Sequence, residues 1–475
     1  MTQIHDLPAH RLAALVRSRE LSPVEVTEHF LRRTEQHDPA LGCFISGMPE
    51  MAMEQALNAE KRVMDDTPEP LPPLLGVPVP VKDLEPVAGA PLTLGSYPCR
   101  DTVAPDDSGL ATRLRRAGAV LTGKTNTPEF GSSCHTENDL APPTRNPWDP
   151  TRTPGGSSGG AAAAVAARLA PVAHGSDGGG SIRIPGSACG VFGLKPTRGR
   201  ISGAPNRADL LGLSTSGPLT RTVADAALLL DTMAFTAPGD PFRAPEHEGS
   251  FLDHVRDGPG TLRVGTYSGT GAEGAQIHPD VRAAHEETVA VLTGLGHEVE
   301  EIPVPHDVHF GGHFAEDFGT LWSAMASAAP VAPEHEHELT ALNRWLRARA
   351  RETPMPRLVR ALGRLQRGVH SFTAATAHLD VLLTPVLTRP PVPIGHFTQE
   401  GPEQTFALMT EFAPFTSLYN VSGQPSVTVP LNWSPAGLPI GSMFSAPAGG
   451  EGTLLALSAQ LERARPWTDR VPPGL

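Results

Sequence analysis

Residues Gly155 to Thr197 read GGSSGGAAAAVAARLAPVAHGSDGGGSIRIPGSACGVFGLKPT. Two serines, Ser157 and Ser181, stand among glycines, with an alanine-rich run between them. Glycines beside a serine let backbone N–H groups approach a reacting atom in conformations that a Cβ forbids. Several such donors can then converge on a developing oxyanion. A Gly/Ser linker is the plain alternative. It fails locally, because the run continues into AAAAVAARLA, a strong helix former, and then into the apolar Pro171-Val172-Ala173. Ordered elements are therefore expected on both sides of each serine.

The 475 residues allow a sizeable core, and 48 Gly and 50 Pro imply many turns. A formal net charge of −13 argues against nucleic acid or an anionic membrane as partner. No apolar run approaches membrane-spanning length, and the first residues do not read as a signal peptide, so the cytoplasm is the expected location. Cys43, Cys99, Cys134 and Cys189 lack any C-x-x-C pairing and read as free thiols. The acidic-histidine runs Glu246-His247-Glu248 and His335 to Glu338 lack the H-E-x-x-H spacing of a helix-borne metal site. They read as solvated loops, and no metal or cofactor is expected.

Upstream, Ser22 is a candidate N-cap with Pro23 in the first turn and Glu25 closing an S-x-x-E capping box, which predicts a helix from Pro23 to about His37. Amphipathic runs at Ala9 to Arg19 and Glu50 to Asp65 predict two more, so the N-terminal arm is expected to be all helical. LLGVPVPVKDL, Leu74 to Leu84, is apolar and β-branched enough for a buried strand that places Lys82 at its end. Buried lysines shift their pKa downward and can act as bases.

Two short motifs offer other readings. Gly118-x-x-x-x-Gly123-Lys124-Thr125 satisfies the P-loop pattern, but Ala119 to Thr122 are strand-like and Thr127-Pro128-Glu129 interrupts any helix after it. Gly155-x-Ser157-x-Gly159 fits a nucleophile elbow, with Ser157 as nucleophile and an acid and a histidine downstream. That alternative leaves SDGGGSIR without a purpose.

GGSSGG, GSDGGGSIRIP and CGVFGLKPTRGR resemble the defining signature of the amidase signature family. LLGVPVPVKDL, GAVLTGKTNTPEFG, LDVLLTPVL and NVSGQPSVTVPLNWSPAGLPIG are similar to family segments in family order, and the likeness is weakest between about Thr236 and His378. The runs TRNPWDP, KPTRGRIS and NVSGQP look like the subgroup that includes aminohexanoate cyclic-dimer hydrolase. The resemblance implies a Ser-Ser-Lys triad in which Ser181 is the nucleophile, Ser157 the bridging serine, in a cis peptide, and Lys82 the base. It also implies an oxyanion hole from the backbone of Gly178, Gly179 and Gly180. Asp177 and Arg183 are expected to brace that loop as an ion pair.

Beyond Arg200, helix-like runs at Ala224 to Met233 and Val281 to Gly294 alternate with strand-like LRVGTY (Leu262 to Tyr267) and His297-Glu298-Val299. The fold class that follows is α/β, a single large domain with a central mixed β-sheet flanked by helices. Residues 1–65 form the arm, 66–235 and 379–475 the catalytic core, and 236–378 a variable, substrate-facing insertion that includes Trp322 as a guessed pocket wall. The expected activity is hydrolysis of a small-molecule carboxamide through an acyl-enzyme on Ser181, with no nucleic acid, no membrane, and a homodimer left open. The rivals are the glutamine-hydrolysing subunit of a tRNA-dependent amidotransferase and a nucleotide-binding protein. The first is disfavoured by Ile184 and Leu84, where that subfamily usually has Gln and Asn.

Overall fold

The computed structural model describes residues 3–65, 70–207, 209, 211–271 and 274–475. Ser22 caps the helix Pro23–Leu41 by accepting the N–H groups of Val24 and Glu25, as the sequence predicts. Helices Ala9–Arg17 and Pro49–Met64 flank it. The arm is not wholly helical, however. β1 (Phe44–Gly47) lies between the last two helices and pairs antiparallel with β3 (Gly123–Thr125), which pairs parallel with β2 (Val81–Lys82).

β2 is much shorter than the strand expected over residues 74–84. Pro78 and Pro80 have no N–H to donate to a ladder, so the chain upstream makes only an isolated bridge from Pro78 to Val120. β3 agrees with the objection to the P-loop pattern. Lys124 and Thr125 lie within this strand instead of opening a helix, and Lys124 is fully buried, 3.4 Å from Asp83 Oδ1.

Among the described residues the main sheet has eight strands: β4 (Val172–Asp177), β5 (Phe192–Lys195), β6 (Thr215–Thr220), β7 (Arg263–Thr266), β8 (Glu298–Glu301), β9 (Val381–Pro385), β10 (Ser426–Trp433) and β11 (Pro439–Ser445). Their order is β4-β6-β5-β10-β11-β9-β7-β8. Pairing is antiparallel from β4 as far as β9 and parallel from β9 through β7 to β8. It is the mixed sheet expected from the sequence.

Because strand residues alternate faces, neighbouring residues join different cores. Leu383 and Phe444 pack with residues of the helices Val223–Met233 and Glu451–Ala464, whereas Leu382 and Met443 pack with Phe372 and Leu365 of the helix Met355–Ala375. The alanine run forms the helix Gly159–Ala166, buried on every side. Alanine suits such a helix, since it combines the best helix propensity with little bulk. Residues 236–378 are not a separate appendage, because they supply β7 and β8 to the sheet as well as the helices Phe314–Ser327, Ala341–Glu352 and Met355–Ala375.

Candidate active site

β2 delivers Lys82 to the end of β4. The Lys82 N–H donates to His174 Nδ1 at 3.3 Å, and the His174 N–H to the Pro80 carbonyl at 3.1 Å. Lys82 Nζ is fully buried and lies 2.7 Å from Ser157 Oγ, 3.1 Å from Ser176 Oγ and 3.4 Å from the Ser176 carbonyl oxygen. A neutral lysine amine has two N–H donors and one lone pair. The two oxygens of Ser176 can take the N–H groups, and the Ser157 hydroxyl can donate to the lone pair. Burial pushes the lysine well below its usual range, Asp177 opposes the shift, and Arg207 adds to it. His174 is also held well below its usual range, above all by burial.

Ser157 is joined to Gly156 by a cis peptide bond. A Cβ on Gly156 would stand 2.6 Å from the His135 carbonyl oxygen, so only glycine fits there. Ser158 is structural. Its N–H donates to the Ser181 carbonyl at 3.1 Å, and its hydroxyl donates to the Ser176 carbonyl at 3.1 Å. These bonds hold the first serine segment against the second glycine loop. Among the described residues no histidine bonds to Ser157 Oγ, whose partner is Lys82.

Asp177 and Arg183 form the expected brace, a fully buried pair with two contacts of 2.9 Å, Arg183 Nε to Oδ2 and Nη2 to Oδ1. Burial alone would push the Asp177 carboxyl up, but the Arg183 charge and hydrogen bonds hold it well below the usual carboxylate range. Asp177 also accepts the N–H of Gly180 at 2.8 Å and of Ile182 at 3.1 Å, and the Asn420 amide at 2.9 Å. The Gly180 bond corrects the oxyanion assignment, because that N–H is already taken. The N–H groups of Gly178, Gly179 and Ser181 make no hydrogen bond among the described residues.

Ser181 is 7% exposed and Ser157 1%, so of the two serines it is Ser181 that meets the cleft beside this loop. The cleft, about 890 Å³ counted to its solvent mouth, is lined mainly by apolar groups including Ile184, Phe314, Phe318, Trp322 and Met409. Trp322 stacks on Phe318 with centroids 5.5 Å apart and donates from Nε1 to the Ser132 carbonyl at 3.1 Å. The guess that it forms a pocket wall therefore agrees with its position. Sequence reading missed Ser176, Thr416, whose hydroxyl donates to the Gly179 carbonyl at 2.5 Å, and Asn420. Ser176, one residue before the Asp177 brace, is the one a motif could have flagged. Asn420 opens the NVSGQP run, whereas Thr416 carried no such signal.

The acidic-histidine runs are otherwise engaged. Glu336 pairs with Arg347 and Arg351, His335 with Glu338, and His247 stacks on Phe251.

The sequence profile of the family described as Amidase matches residues 25–455. The chain belongs to the amidase signature family. It is 34% identical to a 6-aminohexanoate-cyclic-dimer hydrolase of Paenarthrobacter ureafaciens over 97% of this amidase and 95% of the relative. It is likewise 34% identical to an acylamidase of Rhodococcus erythropolis, over 99% and 98%. A solved structure of 6-aminohexanoate cyclic dimer hydrolase complexed with substrate superposes with a TM-score of 0.90 at 33% identity, covering 99% of each chain. This amidase is thus a hydrolase of carbon–nitrogen bonds with the amidase signature fold. No helix among its described residues is long and apolar enough to cross a membrane.

Proposed function

We propose that the enzyme hydrolyses a carboxamide by attack of Ser181 on the carbonyl carbon, with Ser157 relaying the proton and Lys82 receiving it. The observation that carries this reading is the 2.7 Å contact between a buried lysine and a buried serine beside the nucleophile loop. A serine hydroxyl is too weak an acid to attack an amide unaided. Lys82, kept neutral by burial, supplies the base. The carbonyl oxygen, as it gains charge, is received by the N–H groups of Gly178, Gly179 and Ser181. Ser157 then returns the proton to the departing nitrogen, and water releases the acyl group as a carboxylate.

The acyl portion that suits the cleft is apolar, an aryl or alkyl group lying against Phe318 and Trp322. These walls belong to residues 236–378, which supports the assignment of substrate choice to that passage within the division 1–65, 66–235 with 379–475, and 236–378. Glutamine hydrolysis for an amidotransferase is not favoured, since Ile184 and its apolar neighbours offer little to a polar side chain. A cytoplasmic location completes the proposal, and the net charge of −13 argues against an anionic membrane as partner. Sedimentation of the purified protein tests whether it forms a homodimer.

Labelling with a fluorophosphonate and peptide mapping test the triad. The probe is expected on Ser181, with labelling lost in Ser181→Ala and reduced in Ser157→Ala and Lys82→Ala. A label on Ser157 that survives Lys82→Ala would refute it.

A further inference from the structure

A second cavity adjoins the cleft. It shares Ser132 and Trp322 with the cleft, so the hydrogen-bonded pair formed by these residues is the partition. The two spaces meet different parts of the catalytic apparatus. Ser181 and Gly179 line the cleft. The second cavity is lined by Leu84 and Phe130 instead. Leu84 packs against Gly131, where an added Cβ would stand 2.8 Å from Leu84 Cδ1 and 3.0 Å from Ser157 Oγ. Ser181 is thus a wall of the cleft, and Leu84 brings the wall of the second cavity close to Ser157.

Under the triad reading proposed above, on which this inference rests, the direction of the reaction follows from that placement. Acylation forms a C–O bond from Ser181 to the acyl carbon and breaks the C–N bond. The proton lost by Ser181 ends on the departing nitrogen through Ser157. The nitrogen must leave from the side where Ser157 can reach it.

The second cavity is mostly apolar, about 1270 Å³ with its opening counted, and one acidic side chain faces it. Glu85 is 7% exposed and sits one turn beyond the base, its N–H donating to the Lys82 carbonyl at 3.0 Å. The Ser108 hydroxyl hydrogen-bonds to its carboxyl. Arg207 lines the same space without an ion pair to Glu85 and donates to the Ser214 hydroxyl. A buried carboxyl with spare acceptor capacity at the wall of an apolar chamber is costly unless a ligand donor meets it.

We propose that this chamber receives the amine half of the substrate, and that Glu85 selects amines with an apolar body ending in a second N–H or ammonium donor. Ser132 and Trp322 then span the scissile bond, with the acyl group on one side and the amine on the other.

Reversal of the acyl transfer isolates the amine site. The acyl-enzyme is generated from the p-nitrophenyl ester of an apolar acid in the presence of diaminopropane or butylamine, which match in heavy atoms. An amine nitrogen attacks the ester carbon, the bond to Ser181 Oγ breaks, and the amine proton returns to Ser181 through Ser157. The ratio of amide formed to acid released is internal to each enzyme and independent of how fast it acylates. Expressed per unit of amine with an unprotonated attacking nitrogen, the expected result is a preference for diaminopropane of about tenfold, the scale of a charge-assisted hydrogen bond, falling to near unity in Glu85→Gln. Ala329→Trp, at the cavity wall, is expected to lower the share of both amines relative to water. Equal partition of the two amines in the wild type, or an undiminished preference in Glu85→Gln, overturns the proposal. If the ester is not turned over and mass spectrometry finds no acyl group on Ser181, it falls together with the triad reading.

Discussion

Lys82 Nζ stands 2.7 Å from Ser157 Oγ, and both side chains are shut away from solvent. The lysine is a base only while unprotonated, and burial favours that state. kcat/KM is therefore expected to rise with pH along a limb centred well below the ordinary lysine range. Lys82→Met should lower kcat by about 100-fold or more. The same substitution should raise the unfolding temperature at pH 7. A lysine neutral in the fold but protonated when unfolded costs stability, and the cost shrinks as pH climbs toward the unfolded pKa. Thermal melts at pH 7 and pH 10 check the sign, with the gain from Lys82→Met smaller at pH 10.

Ser176 presents both its hydroxyl and its carbonyl to Lys82 Nζ. Ser176→Ala removes one of these acceptors and leaves the lysine free to rotate away from Ser157. A fall in kcat of about tenfold, with KM nearly unchanged, is expected for a lost positioning hydrogen bond. Steady-state kinetics across pH separates this from a general loss of structure, because the rising limb set by Lys82 should move as well.

Asp177 is the hub of the nucleophile loop. Asp177→Asn leaves Arg183 buried without its counter-ion and is expected to cost about 3–5 kcal/mol in urea unfolding. Because the folded carboxyl is held below its unfolded pKa, its contribution is complete above about pH 4 and is lost as pH falls through the folded pKa. The acid-unfolding curve of the variant should consequently be flatter than that of the wild type. Equal slopes would show that the pair does not govern acid stability.

Trp322 forms the partition between the two cavities and touches the loop, its ring 3.4 Å from the place a Cβ on Gly178 would take. Trp322→Ala should raise KM for amides with an aromatic acyl group by about tenfold, as expected for loss of a stacked ring. The effect should be much smaller for acetyl amides. Comparison of the two substrate series is the measurement.

Residues close in sequence carried most of what could be read without a structure. The helix starting at Ser22, the alanine helix, the Asp177–Arg183 pair six positions apart and the glycines around each serine are local features, set by propensity, capping and backbone freedom. One local rule misled, because Pro78 and Pro80 shortened a strand that apolar patterning had lengthened. The phosphate-loop match at Gly123-Lys124-Thr125, disfavoured by its context, forms the middle strand of a small sheet.

The sequence by itself determined which residue types stand at which spacing, and so the mixed sheet and the three candidate side chains. The tertiary structure decided the contacts among residues far apart in the chain. It put Lys82 on Ser176, gave the Gly180 N–H to Asp177, brought Thr416 and Asn420 to the nucleophile loop, and placed Phe318 and Trp322 over the glycines. Such contacts depend on how sheet and helices pack, and no periodicity in the chain encodes the distance between two side chains that meet only after the core has formed.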